Sequence, residues 1–103
     1  WAADTPDPDN FFSPLLSCTA TFSGKNPANW CNPQFDLLLT QALDTTDLSL
    51  RKQYYDQVQA LIVDQLPLVP IAHGMRFQAN SADVEGITLG PFGAISLANA
   101  RKK

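Results

Sequence analysis

The chain has 103 residues, a formal net charge of −3 and a pI of about 4.7. Hydrophobic residues are 45% of it and charged residues 17%, a composition that excludes a disordered chain and suits one small domain. Its lysines and arginines total seven and form no stripe, which excludes a nucleic-acid partner, and no apolar run is long enough for direct membrane insertion.

The chain opens on Trp1-Ala2-Ala3-Asp4, and a bare Trp with no initiator Met predicts a cut from a precursor or a longer protein. Next comes the turn-forming run Thr5-Pro6-Asp7-Pro8-Asp9-Asn10. Two prolines one residue apart fix φ twice and push the residues before them towards extended geometry. A stiff loop that carries an acid beside a Trp suits capture of a cationic ligand group. A surface turn with acidic caps is the plainer reading of the same residues. Asp7 or Asp9 can cap a short helical turn that buries Phe11, Phe12, Leu15 and Leu16, with a kink or break at Pro14.

Cys18 and Cys31 are the two cysteines. A pair this close in loop-rich sequence reads as one disulfide in an oxidising compartment, with two free buried thiols as the other reading. With His73 the only histidine and no C-x-x-C pair, the residues imply no metal site. Residues 19–31 read as loop, broken by Gly24, Asn26, Pro27 and Asn29 and anchored by Phe22 and Trp30.

Asn32 is a cap with Pro33 at the first helical position, and Phe35, Leu38, Leu39, Ala42 and Leu43 predict a helix over residues 33–43. Asp47 offers the next cap. Residues 48–66 form an amphipathic helix with Leu50, Tyr54, Val58, Leu61, Ile62 and Leu66 on one face, Arg51, Lys52, Gln53, Asp56, Gln59 and Asp64 mostly off it, and Pro67 as its stop. Residues 68–73 read as a buried strand, an edge strand or a crossing segment. Residues 75–79 alternate loosely around Phe77. Residues 80–83 are a turn, 84–89 a strand around Gly86, 90–93 a turn, 94–98 a final strand, and 99–103 a frayed polar tail. Two helices followed by three or four short strands make an α/β chain, too thin a sheet to cover the long helix by itself.

No enzyme is indicated. His73 ends an apolar run, as a satisfied core histidine would, and Ser13, Ser17 and Ser23 lack the setting of a nucleophile. Gly90-Pro91-Phe92-Gly93 is no phosphate loop, because Pro91 removes an amide. The sequence calls for no cofactor.

Several separated motifs, in order, resemble the bacterial periplasmic substrate-binding proteins of peptide ABC transporters, family 5. Trp1-Ala2-Ala3-Asp4 leading into Asp7-Pro8-Asp9-Asn10-Phe11-Phe12 is similar to a run in the dipeptide-binding type. Leu16-Ser17-Cys18 and Asn29-Trp30-Cys31 resemble its disulfide-bearing loop. Asn32-Pro33-Gln34-Phe35-Asp36 is similar to the helix start that follows, and residues 65–73, Val84-Glu85-Gly86 and Pro91-Phe92-Gly93 continue the likeness. Within the family the likeness is to the Sap type, linked to antimicrobial-peptide uptake.

The resemblance implies the C-terminal part of a two-lobe, clamp-like (type II) binding protein. Residues 1–73 would belong to the second ligand-binding lobe, and residues 74–103 would return to the first. By position, Asp4 would pair with a peptide's α-amino group, Ala2 would offer backbone contacts and Trp1 would line the pocket. The ligand would be a peptide or a related small molecule, since relatives also bind haem, metal chelates, polyamines or sugars. The intact protein would work in the periplasm of a Gram-negative bacterium with an inner-membrane ABC permease. The isolated chain would expose apolar surface and self-associate. The alternative is a self-standing small secreted domain, stapled by its disulfide and acting through protein–protein contacts.

Overall fold

The structure, a computed structural model, describes residues 4–90 and 92–103. It divides into two compact units: Thr5–Pro70, which is helical, and Ile71–Lys103, with which Asp4 falls.

The helical unit contains α1 (Asp9–Leu16), α2 (Cys18–Ser23), α3 (Pro33–Asp44) and α4 (Leu48–Gln65). Local chemistry sets the helix starts. The Asn32 side chain accepts from the amides of Gln34 and Phe35 at 2.9 and 3.3 Å, and Pro33 needs no amide partner there. Asp47 does the same for Ser49 and Leu50 at 2.8 and 3.1 Å. Leu66 ends α4 in the left-handed region at φ 47°, and Pro67 cannot extend the helix.

The core joins Leu16 of α1, Phe35, Leu38, Leu39 and Ala42 of α3, and Tyr55 and Val58 of α4. Phe35 and Val58 are fully buried. The Phe35 ring is met edge-on by Phe12 at 6.2 Å and by Trp30 at 5.0 Å, the geometry aromatic quadrupoles favour.

Several expectations need correction. Residues 18–23 are helical, because Ser17 caps them through the Ala20 amide and Gly24 closes them at φ 70°. Helix α1 runs through Pro14, since near a short helix's end its ring forfeits one bond only. The N-cap position of α1 is Pro8, and the expected acidic cap comes from Asp7 one residue earlier, whose side chain accepts from the Asp9 amide. Phe11 is exposed, as are Leu50 and Leu66. The buried face of α4 is turned towards Tyr55, and Arg51 is half-buried rather than off the face.

The second unit is thinner. β1 (Val84–Glu85) pairs antiparallel with β4 (Arg101–Lys102), Val84 opposite Lys102. β2 (Thr88–Leu89) pairs antiparallel with β3 (Ile95–Ser96), Thr88 opposite Ser96. The expected continuous strand over 84–89 is thus two short ones, bent at Gly86. The tail is paired rather than frayed, held also by Arg101 on Glu85 at 2.9 Å and by the Lys103 amide on the Asp83 carbonyl at 2.8 Å. Residues 68–73 and 75–79 form no strand, and His73 is exposed rather than a core residue. Pro70 lacks the amide that a ladder would need.

Candidate ligand-binding site

The proline-rich loop is fixed by an acid between its two prolines. Asp7 Oδ1 accepts from the Asp9 amide at 3.0 Å, which shapes the turn into α1. Arg51 of α4 donates to Asp7 Oδ2 at 2.5 Å and to the Tyr55 hydroxyl at 3.3 Å. The Tyr55 hydroxyl in turn donates to Asp7 Oδ1 at 3.2 Å. Arg51 and Tyr55 stand four residues apart, one above the other on α4, and the Arg51 guanidinium lies 5.5 Å from the Tyr55 ring centre. Phe12 closes the cluster, its ring 6.0 Å from that of Tyr55. Nε of Arg51 is buried without a partner among the described residues.

The charges respond to these contacts. Burial pushes the Asp7 carboxyl up, but the Asp9 amide, then Arg51 and Tyr55, outweigh it, so Asp7 sits below the usual carboxylate value. Arg51 is raised by its bonds to Tyr55 and Asp7. Tyr55 is raised, first of all by burial. All three keep their ordinary charge states at neutral pH, a carboxylate and a guanidinium bridged by a neutral phenol.

The second structured loop lies between α2 and α3. Cys18 and Cys31 form a disulfide with Cα atoms 4.4 Å apart. The Cys18 amide donates to both carboxylate oxygens of Asp36 at 3.2 Å, tying the start of α2 to α3. Buried Asn26 spans the loop, its amide donating to the carbonyls of Ser17 at 3.3 Å and Trp30 at 2.7 Å. A shallow groove of about 410 Å³ runs beside α2, lined by Ser13, Ser17, Thr19, Ser23 and Lys25 among others. It is wide open and holds no convergent charged pair.

No family model matches the chain. Curated relatives do. The probable ABC transporter periplasmic-binding protein SapA of Escherichia coli (strain K12) is 44% identical over 103 residues, 100% of this chain and 19% of that protein. The dipeptide-binding protein of the same strain is 39% identical over 93 residues, 90% of this chain and 17% of that protein. Among solved structures, the dipeptide binding protein from Pseudoalteromonas sp. SM9913, crystallised in complex with Met-Leu, is 89% identical. It superposes at a TM-score of 0.89, covering 100% of this chain and 20% of that one.

Over its whole length the chain is similar to one segment of these periplasmic peptide-binding proteins. It spans about a fifth of the length of the relatives it matches. Its α/β fold, helices followed by short strands, matches one part of the solved dipeptide binding protein.

Of the site residues expected of a peptide binder, Trp1 and Ala2 lie outside the described residues, and Asp4 is exposed. Asp7, Arg51 and Tyr55 carried no expected role beyond a cap and an amphipathic helix. An Arg and a Tyr at positions i and i+4, with an acid confined between prolines, is the signal that could have found them. Among the described residues no group of three or more His, Cys, Asp or Glu is placed to hold a metal ion. None of their helices is long and apolar enough to cross a membrane.

Proposed function

We propose that the chain is the C-terminal part of a periplasmic receptor that captures short peptides and delivers them to an inner-membrane ABC permease. The observation that carries this reading is the 89% identity to a dipeptide binding protein crystallised with Met-Leu. Residues 1–73 are assigned to the second ligand-binding lobe and residues 74–103 to the segment returning to the first. Site and partners are those of a binding module, which holds its ligand without turning it over. The chain by itself exposes Ile71, Met75 and Phe77, apolar surface that favours self-association.

Within the receptor, Asp4 pairs with the peptide's α-amino group, Ala2 contacts its backbone and Trp1 walls the pocket. A carboxylate on an ammonium makes a charge-assisted hydrogen bond, stronger once the closed lobes exclude water. The test is calorimetry on the intact receptor, with Met-Leu and N-acetyl-Met-Leu, before and after Asp4→Asn. Asp4→Asn is expected to weaken Met-Leu by about 2–5 kcal/mol, the range for truncating one partner of a buried charged pair. Acetylation is expected to cost as much in the unmutated receptor and little more in the variant, because both changes break one contact. Additive losses would retire Asp4 from this role.

A further inference from the structure

We propose that residues 71–79 are a docking strip for the upstream part of the same receptor, and that Arg76, lying on Gly93, holds the strip in place for it. The inference rests on the reading of the chain as part of a longer receptor and names what covers this segment and what presents it. No residue from 71 to 79 is a proline, yet none of their amides meets a hydrogen-bond partner among the described residues. Ile71, Met75 and Phe77 are 94%, 79% and 84% exposed. A run of unpaired amides that carries apolar side chains is a template on which another strand adds. Left bare in a folded protein, it invites aggregation.

A side chain, not the main chain, ties the strip to its own unit. The Arg76 guanidinium takes the space that any side chain at Gly93 would need. Gly93 has φ 80°, and its turn is firmly closed. Its amide donates to the Gly90 carbonyl at 2.9 Å, and the Gly90 amide donates to the Ala94 carbonyl at 2.8 Å, continuing the β2–β3 pairing. No ion pair among the described residues includes Arg76. The shape of the turn therefore sets its place, and the main chain of the strip is left open for a partner.

Two occupants fit an open strand, a second copy of the chain and the rest of the receptor. The chain spans about a fifth of the length of the relatives it matches. The remainder of a receptor of that length is joined to the strip covalently, at an effective concentration that a second copy does not reach in dilute solution. The occupant is the upstream part, adding a strand that bonds to amides 71–79 and covers Ile71, Met75 and Phe77.

The test is hydrogen exchange on the intact receptor at two protein concentrations, for the unmutated protein, Arg76→Met and Gly93→Ala. Amides 71–79 are expected to exchange at least about a hundredfold more slowly than in an unstructured chain, at a rate independent of concentration. Arg76→Met keeps the stem and removes the guanidinium, and Gly93→Ala drives the guanidinium off the turn. Each is expected to speed exchange at residues 71–79 by about tenfold and to leave the amides of α3 unchanged. Exchange at the rate of an unstructured chain would overturn the docking. Protection that grows with concentration would assign the strip to a second copy and overturn it as well. Unchanged exchange in both variants would overturn the role of Arg76. Titration of Met-Leu into the same unmutated receptor keeps this inference apart from the peptide reading. Protected amides in a receptor that binds no peptide would uphold the docking and retire the peptide reading, and unprotected amides in one that binds Met-Leu would do the reverse.

Discussion

Trp30 donates its indole N–H to Gln65 at 3.0 Å, joining the disulfide loop to the last turn of α4. The same Gln65 oxygen accepts from the Asn32 side chain at 3.2 Å, so the residue that caps α3 and the Trp two positions before it share one acceptor. The Trp30 ring also packs on Phe35. The loop is therefore anchored at its α3 end by packing and hydrogen bonds as well as by Cys31.

The disulfide still closes a segment with a sequence separation of 13. In the chain-entropy account such a loop contributes roughly 3 kcal/mol. Replacing both Cys18 and Cys31 by Ser is expected to lower stability by about 2–3 kcal/mol in urea denaturation. A thiol assay on unreduced, denatured protein should find no free thiol, and two free thiols would remove the premise.

Core truncations should rank by burial. Phe35 is fully buried under two aromatic edges, so Phe35→Ala is expected to cost about 3–5 kcal/mol. Leu61 only flanks the core, and Leu61→Ala is expected to cost less than about 2 kcal/mol, below the range for fully packed leucines. Urea denaturation of the two variants side by side checks the order, and equal losses would show that Leu61 is as well packed as Phe35.

The helices α3 and α4 were legible because their signals are local: Asn32 and Asp47 as caps, Pro33 at a helix start, Pro67 at a stop, and apolar residues at helical spacing. The rotation of α4 was not. Tyr54 and Tyr55 are chemically the same and sit about 100° apart on a helix. What brings Tyr55 inward is a pair of partners far off in sequence, Phe12 and Asp7. Helix α2 is short and its span reads as loop by composition, so only its Ser17 cap and Gly24 close, flanking residues of weak specificity, could have marked it. The pairing of residues 84–85 with residues 101–102 is non-local, and a two-residue strand carries too few side chains for an alternating pattern. The role expected of Asp4 rests on family resemblance alone, while the cluster that holds Asp7 became visible only in three dimensions.

Acid should loosen the proline loop. The contacts of Asp7 hold its carboxyl below its ordinary value of 3.8 against the upward push of burial. A carboxyl depressed in the folded state contributes stability that is fully present above 3.8 and is lost as pH falls through the lower folded value. Asp7→Asn is expected to cost about 1 kcal/mol at neutral pH, an ion-pair and hydrogen-bond loss discounted for a partly exposed side chain. The variant should also show a shallower fall in stability between about pH 6 and about pH 2. Urea unfolding at the two pH values measures both, and identical pH slopes would show that Asp7 does not carry the acid response.

The last prediction separates two glycines that share a left-handed backbone. Gly24 has φ 70° and nothing within 4 Å of where a Cβ would stand, whereas Gly86 has φ 82° and would place that carbon 1.9 Å from the Asn99 carbonyl oxygen. Gly24→Ala meets only the intrinsic strain of a left-handed alanine, about 1–2 kcal/mol. Gly86→Ala meets the same strain and also collides with backbone, which cannot rotate away as a side chain can. Asn99 lies just before β4, so relief requires moving β4 off β1. Gly86→Ala is therefore expected to destabilise more than Gly24→Ala and to act locally. Hydrogen exchange should quicken at the Lys103 amide, which bonds to the Asp83 carbonyl beside that pairing, and leave the amides of α3 unchanged. Unchanged protection at Lys103 in Gly86→Ala would mean that the tail does not depend on the close approach at Gly86.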